Sequence, residues 1–108
     1  MAELGESSPV AASGRDRPED AVGVYGITVA ARMVGTGAQN LRAYEKAGLV
    51  EPDRTDGGTR LYSTDNIARL RRVVELLDHG LNLIGIAMVI ELEDANRELR
   101  RTRDEAAD

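Results

Sequence analysis

Apolar residues recur along the chain at helical spacing, in blocks separated by glycine, and these blocks predict four helices and one hairpin. Thr28 stands as an N-cap candidate before Val29-Ala30-Ala31-Arg32-Met33-Val34, and Gly35 ends that helix. A second helix is expected from Ala38 to about Ala47. Its inward positions are Ala38, Leu41 and Tyr44, and its outward ones are Gln39, Asn40, Arg42 and Lys46. Gly48 stops it, with Lys46 placed favourably against the negative end of the helix dipole. Two such helices joined by Gly35-Thr36-Gly37 make a helix-turn-helix.

Leu49 to Arg54 and Thr59 to Tyr62 flank Thr55-Asp56-Gly57-Gly58. That order predicts a two-stranded hairpin, because Asp-Gly and Gly-Gly supply the positive φ its turn requires. Pro52 has no N–H to offer a ladder and confines its strand to an edge. Ser63 then caps a third helix, with Asp65 in the first turn and Ile67, Leu70, Val73, Val74 and Leu77 on one wide apolar face. Asp78-His79-Gly80 interrupts it, and a fourth helix starts at Asn82, where Leu81 can staple onto Ile86. From Met88, the residues Leu92, Ala95, Leu99, Thr102 and Ala106 follow alternating steps of four and three. This is a short heptad-like seam suited to pairing with another subunit.

Residues 1–24 show neither periodicity and are rich in Ala, Gly, Ser, Pro and acidic side chains, so a disordered acidic tail is expected there. The expected division is that tail, a winged helix-turn-helix domain over 25–91, and a C-terminal helix with an acidic tail over 92–108. The fold class is mainly α.

Composition narrows the function. With 42% apolar residues but no Phe or Trp, the core has to be built from aliphatic side chains, which favours packed helices over a sandwich or barrel. A chain of 108 residues buries only about 60% of the surface its unfolded form exposes, so support from a second subunit fits its size. The absence of cysteine excludes disulfides, thiolate metal sites and thiol redox sensing, and a single His79 leaves almost no material for imidazole chemistry. No catalytic constellation, cofactor motif or metal-ligand spacing is present, and an enzyme is not expected. Leu83 to Ile90, the longest apolar stretch, is far short of the roughly 20 residues a membrane span needs. A cytoplasmic, nucleoid-associated protein is the expectation.

A net charge of −5 runs against nucleic-acid binding until its distribution is considered. Residues 25–79 carry 8 basic and 7 acidic groups, whereas both ends are acidic. Screening over about 8 Å at physiological salt keeps distant acidic ends from cancelling a local basic surface. Within the near-neutral middle, Gln39, Asn40, Arg42 and Tyr44 on the second helix carry groups that read base edges, and Arg60 and Tyr62 on the hairpin carry donors for phosphates. Arg69, Arg71 and Arg72 are assigned to pairing along the third helix, such as Arg71 with Glu75. Arg97, Arg100, Arg101 and Arg103, interleaved with acids, are assigned to a solvated helix face.

Three pieces in order, Ile27-Thr28-Val29-Ala30-Ala31, Asn40-Leu41-Arg42-Ala43-Tyr44-Glu45-Lys46-Ala47-Gly48-Leu49-Val50 and Pro52 through Ser63, resemble the MerR family of bacterial transcription regulators. Gly80-Leu81-Asn82-Leu83-Ile84-Gly85-Ile86 is similar to its HspR heat-shock repressor branch. The resemblance implies a homodimer on an inverted-repeat operator in double-stranded DNA, repression of a chaperone operon, and a DnaK-type chaperone as co-repressor. Asn40 stands where the branch usually has Thr, and Leu61 where it usually has Arg, so a different operator and one fewer phosphate contact are expected. Two other readings stand beside this one. The first is an architectural or recombination-associated DNA binder on the same winged module, and the second is a protein-interaction module that does not touch DNA.

Overall fold

The computed structural model describes residues 17–107; residues 1–16, which hold most of the expected acidic tail, lie outside them. The described chain begins with a 3-10 turn, Glu19–Ala21, followed by α1 (Ile27–Val34) and α2 (Ala38–Lys46). The hairpin strands β1 (Asp53–Arg54) and β2 (Arg60–Leu61) come next, then α3 (Thr64–Asp78) and α4 (Leu83–Ala107). The four helices and the hairpin stand in the expected order.

Alanine shapes the first half of the core. Ala30 and Ala31 are buried on α1, and their small side chains let that helix pack against both α2 and α3. Gly26, and not Thr28, is the N-cap of α1; Thr28 sits within the first turn. From α2 the core takes Leu41 and Tyr44, and from α3 Ile67, Leu70, Val73 and Leu76. Leu76 completes an inward face that Val74 and Leu77 only flank. Ser63 accepts from the Asn66 N–H at 3.0 Å, while the Asn66 side chain accepts from the Ser63 N–H at 2.8 Å, closing a capping box at the head of α3.

The strands are shorter than expected. Leu49 and Val50 are consecutive and both buried, so the segment after α2 does not alternate as a half-exposed strand would and enters the core instead. Pairing is confined to Asp53 opposite Leu61 and Arg54 opposite Arg60. In the turn, Gly58 takes φ +86° and donates to the Thr55 carbonyl at 2.9 Å, while Thr55 donates to the Thr59 carbonyl at 2.9 Å. Gly58 is the turn residue that needs the left-handed conformation.

A second correction concerns the N-terminal segment. Order begins by Arg17, not at Val24. Arg17 donates through both Nη atoms to the Asp53 carboxylate at 3.0 and 2.9 Å, and the Gly23 N–H donates to the same carboxylate at 2.8 Å. Tyr25 and Tyr62 form an antiparallel bridge, with the Tyr62 N–H donating to the Tyr25 carbonyl at 2.7 Å. Residues 17–25 therefore form a strap: Gly23 to Tyr25 run beside Leu61 and Tyr62, the 3-10 turn packs against α3, and Arg17 ties back to β1.

The C-terminal helix is a single element, Leu83–Ala107. Asn82 accepts from the Gly85 N–H at 2.8 Å and starts α4, whose Ile86 and Ile90 reach the core. Across the interface with α3, Arg69 pairs with Asp94 at 2.8 Å and Arg72 with Glu93 at 2.6 Å. Arg72 also pairs with Glu75, whereas Arg71, expected on that acid, donates to the Met33 carbonyl. From residue 95 to 107 every side chain is exposed, including the seam positions Ala95, Leu99, Thr102 and Ala106. Arg97, Arg101 and Arg103 form ion pairs along this solvated face.

The strap has one position with no room for a side chain. A Cβ on Gly23 would lie 2.3 Å from the Leu61 carbonyl oxygen, a backbone atom that cannot swing away. Gly23→Ala is expected to destabilise the fold by about 1–3 kcal/mol, the usual range for overpacking. Urea denaturation of parent and variant measures it.

Candidate nucleic-acid interface

The second helix of the helix-turn-helix divides its side chains as its spacing dictates. Leu41 and Tyr44 point into the core, which turns Gln39, Asn40, Arg42, Ala43 and Lys46 to solvent. Arg42 and Lys46 have no ion-pair partner among the described residues. Asn40 donates to the Thr36 hydroxyl at 2.7 Å, which ties its amide to the turn before the helix. Three of the expected base-reading residues, Gln39, Asn40 and Arg42, thus share one exposed face.

Tyr44 and Tyr62, expected at the DNA surface, are core residues instead. Tyr44 is 6% exposed and Tyr62 0%. With Tyr25, which packs against the core from its edge, their rings supply its aromatic volume, and burying them removes more apolar area from water than a surface position would. The Tyr62 hydroxyl is sealed from solvent and has no hydrogen-bond partner among the described residues. Its pKa is raised, first by burial and then by the Glu45 charge.

Arg60 is half-buried and donates from Nε to Glu45 Oε1 at 2.5 Å. Its cross-strand neighbour Arg54 donates from Nη2 to Glu45 Oε2 at 2.8 Å and from Nη1 to the Gly58 carbonyl at 3.0 Å. One carboxylate on α2 therefore holds two arginines of the wing. Desolvation works against the ionised Glu45, but the hydrogen bonds from Arg60 and Arg54 outweigh it and its pKa lies below the ordinary value. Asp53 is likewise lowered, chiefly by the hydrogen bonds from Arg17, against a smaller contribution from burial and with help from the Gly23 N–H.

Sequence reasoning missed Glu45, Arg54, Asp53 and Arg17 as parts of this site. A signal for the first two was present. Arg54 and Arg60 flank the turn symmetrically, so a hairpin closed there sets two like charges opposite each other, an arrangement that needs a counter-ion.

Among the described residues no group of three or more His, Cys, Asp or Glu could hold a metal ion, and no helix is long and apolar enough to cross a membrane. What the arrangement offers is an exposed helix face with amide and guanidinium donors beside a hairpin that carries two arginines.

Comparison with known proteins points the same way. Residues 25–93 match the sequence profile described as MerR HTH family regulatory protein. The chain is 48% identical over 85 residues to a putative heat shock protein HspR of Streptomyces coelicolor, covering 78% of this chain and 56% of that protein. It is 32% identical over 82 residues to the HTH-type transcriptional regulator GlnR of Bacillus cereus, covering 76% of this chain and 64% of that one. The chain thus spans less than two thirds of the length of these relatives. Among solved structures, a MerR-family transcriptional regulator from Bacillus cereus is similar, with a TM-score of 0.59 and 28% identity over 74% of this chain and 64% of that one. HiNmlR, a MerR family regulator lacking the sensor domain and bound to promoter DNA, shares the fold at a TM-score of 0.58 and 23% identity, over 77% of this chain and 76% of that one.

Two variants test the local chemistry. Tyr62→Phe removes a hydroxyl that has no partner, so stability is expected to hold or to rise by about 1 kcal/mol, read by urea denaturation. For Asp53, whose folded pKa is depressed, stability is present above the ordinary carboxylate value and lost as pH falls through the lowered one. Asp53→Asn should therefore be less stable than the parent near neutral pH, and the gap should close as the pH falls below the lowered Asp53 pKa, where both side chains are uncharged.

Proposed function

The chain belongs to the MerR HTH family, and on that basis we propose that it is a DNA-binding regulator of transcription whose α2 enters the major groove. The observation that carries this reading is the sorting of α2: Leu41 and Tyr44 are consumed by the core, while Gln39, Asn40 and Arg42 stand together in solvent. Arginine pairs bidentately with guanine, and Asn or Gln with adenine, so this face has the donors that distinguish base pairs. Arg60 on the wing supplies a phosphate contact that sets register without reading sequence. Tyr44 and Tyr62 brace these elements from within.

The protein acts as a homodimer on an inverted repeat. Supporting this, Ile84 is 75% exposed, Met88 61%, Leu92 69% and Leu99 69%, an apolar row along α4 that a second copy of the helix would cover. Two recognition helices related by a two-fold axis match half-sites one DNA turn apart. Repression is the favoured sign, and the likeness to a protein named for heat shock supports a stress-linked set of genes. A DnaK-type chaperone as co-repressor rests on the family resemblance. An exposed basic face on the second helix favours direct DNA contact over a module that binds only protein.

Arg42→Ala is expected to weaken binding to the operator by about 1–3 kcal/mol and to relax the preference at one base pair in each half-site. Genome-wide mapping of bound sites identifies the operator, and titration of both proteins against it gives affinity and stoichiometry. Unchanged affinity would remove Arg42 from the interface; one chain per site, or spreading over direct repeats, would replace the dimeric regulator with an architectural binder.

A further inference from the structure

The wing sets two guanidinium groups opposite each other, Arg54 and Arg60, and both turn towards one carboxylate of α2. Two cations around one anion leave a net positive charge, so the cluster still attracts a phosphate. The distribution of donors matters more. Arg54 spends Nη1 on the Gly58 carbonyl and Nη2 on Glu45. Arg60 spends only Nε, and its Nη pair has no partner among the described residues. Held by Nε, a planar guanidinium turns less freely about its stem, and its Nη groups, without partners among the described residues, keep donors for phosphate oxygens.

We infer that Glu45 is a positioning residue for DNA binding: from the recognition helix it clamps the wing and aims the Nη fork of Arg60 at a backbone phosphate. This deepens the reading of the chain as a DNA binder and rests on it. Glu45 itself touches no nucleotide. Its side chain is 21% exposed and both its oxygens are occupied by arginine. The clamp also explains why an acid is placed in the last turn of a helix facing an anionic ligand, where an uncompensated carboxylate would repel it.

Glu45→Gln keeps the shape and removes the charge. In the parent without DNA, the Arg60 Nε–H should give a resolved, slowly exchanging NMR resonance that is lost in the variant; equal behaviour in both overturns the clamp. Binding to a mixed-sequence duplex is then measured across salt, since phosphate contacts are blind to sequence. Losing one aimed contact in the variant flattens the plot of log K against log salt by about 0.9, so that between 50 and 200 mM salt the parent loses roughly 3.5-fold more affinity than the variant. An unchanged slope, with weaker binding that follows only a lowered melting temperature, reduces Glu45 to a brace of the fold and overturns the inference. A steeper slope with tighter binding makes Glu45 a competitor of phosphate and overturns it too. A parent that binds no duplex overturns the DNA reading and the aiming role together, and the Nε–H resonance then still reports whether the clamp exists.

Discussion

Tyr62 is the residue on which the geometry of the recognition surface depends. Its backbone pairs with Tyr25 on one side, its neighbour Leu61 pairs with Asp53 in β1, and its ring lies in the core that also holds Leu41 and Tyr44. A two-stranded ribbon is marginal in water by itself. Here it is made dependable by the burial of one large ring at the root of its second strand. The sealed hydroxyl shows how tight that seat is: among the described residues none reaches it with a hydrogen bond.

Charge is handled with similar economy in an acidic chain. Five arginines of the folded body are paired within the protein: Arg17 with Asp53, Arg54 and Arg60 with Glu45, Arg69 with Asp94 and Arg72 with Glu75 and Glu93. Arg42 and Lys46 are left without ion-pair partners on α2. A general attraction for polyanions is thereby kept small, and unpaired positive charge remains on the exposed face of α2. Screening over about 8 Å at physiological salt limits how far the acidic end of α4 is felt.

How much of this was legible in the sequence depended on the range of the interaction concerned. Helix positions followed from local spacing and stops, and Ser63 as a cap followed from chemistry within one turn. The helix-turn-helix and hairpin were legible for the same reason. The strap was not, because Arg17 finds Asp53 across a separation of 36 residues and leaves no periodic trace. Tyr44 and Tyr62 were ambiguous in principle, since an amphipathic ring suits a core and a phosphate equally well, and the shortage of other aromatic residues decided for the core. Glu45 shows a different limit. On a helical wheel it is one more acid at the edge of the buried stripe, and its role becomes visible once the hairpin folds back with two arginines facing it.

The uninterrupted course of α4 carries a consequence for how such a protein could evolve. Its first turns are rooted among Ile86 and Ile90, and the rest extends as a single rod without a hinge. An insertion or deletion of one residue beyond Asp94 would rotate everything distal by about 100° and translate it by about 1.5 Å. Any subunit held by the far end would then be presented at a new angle to its fellow. The helix thus acts as a ruler, and a change in its length preserves the direction in which its far end points only when it comes in whole turns.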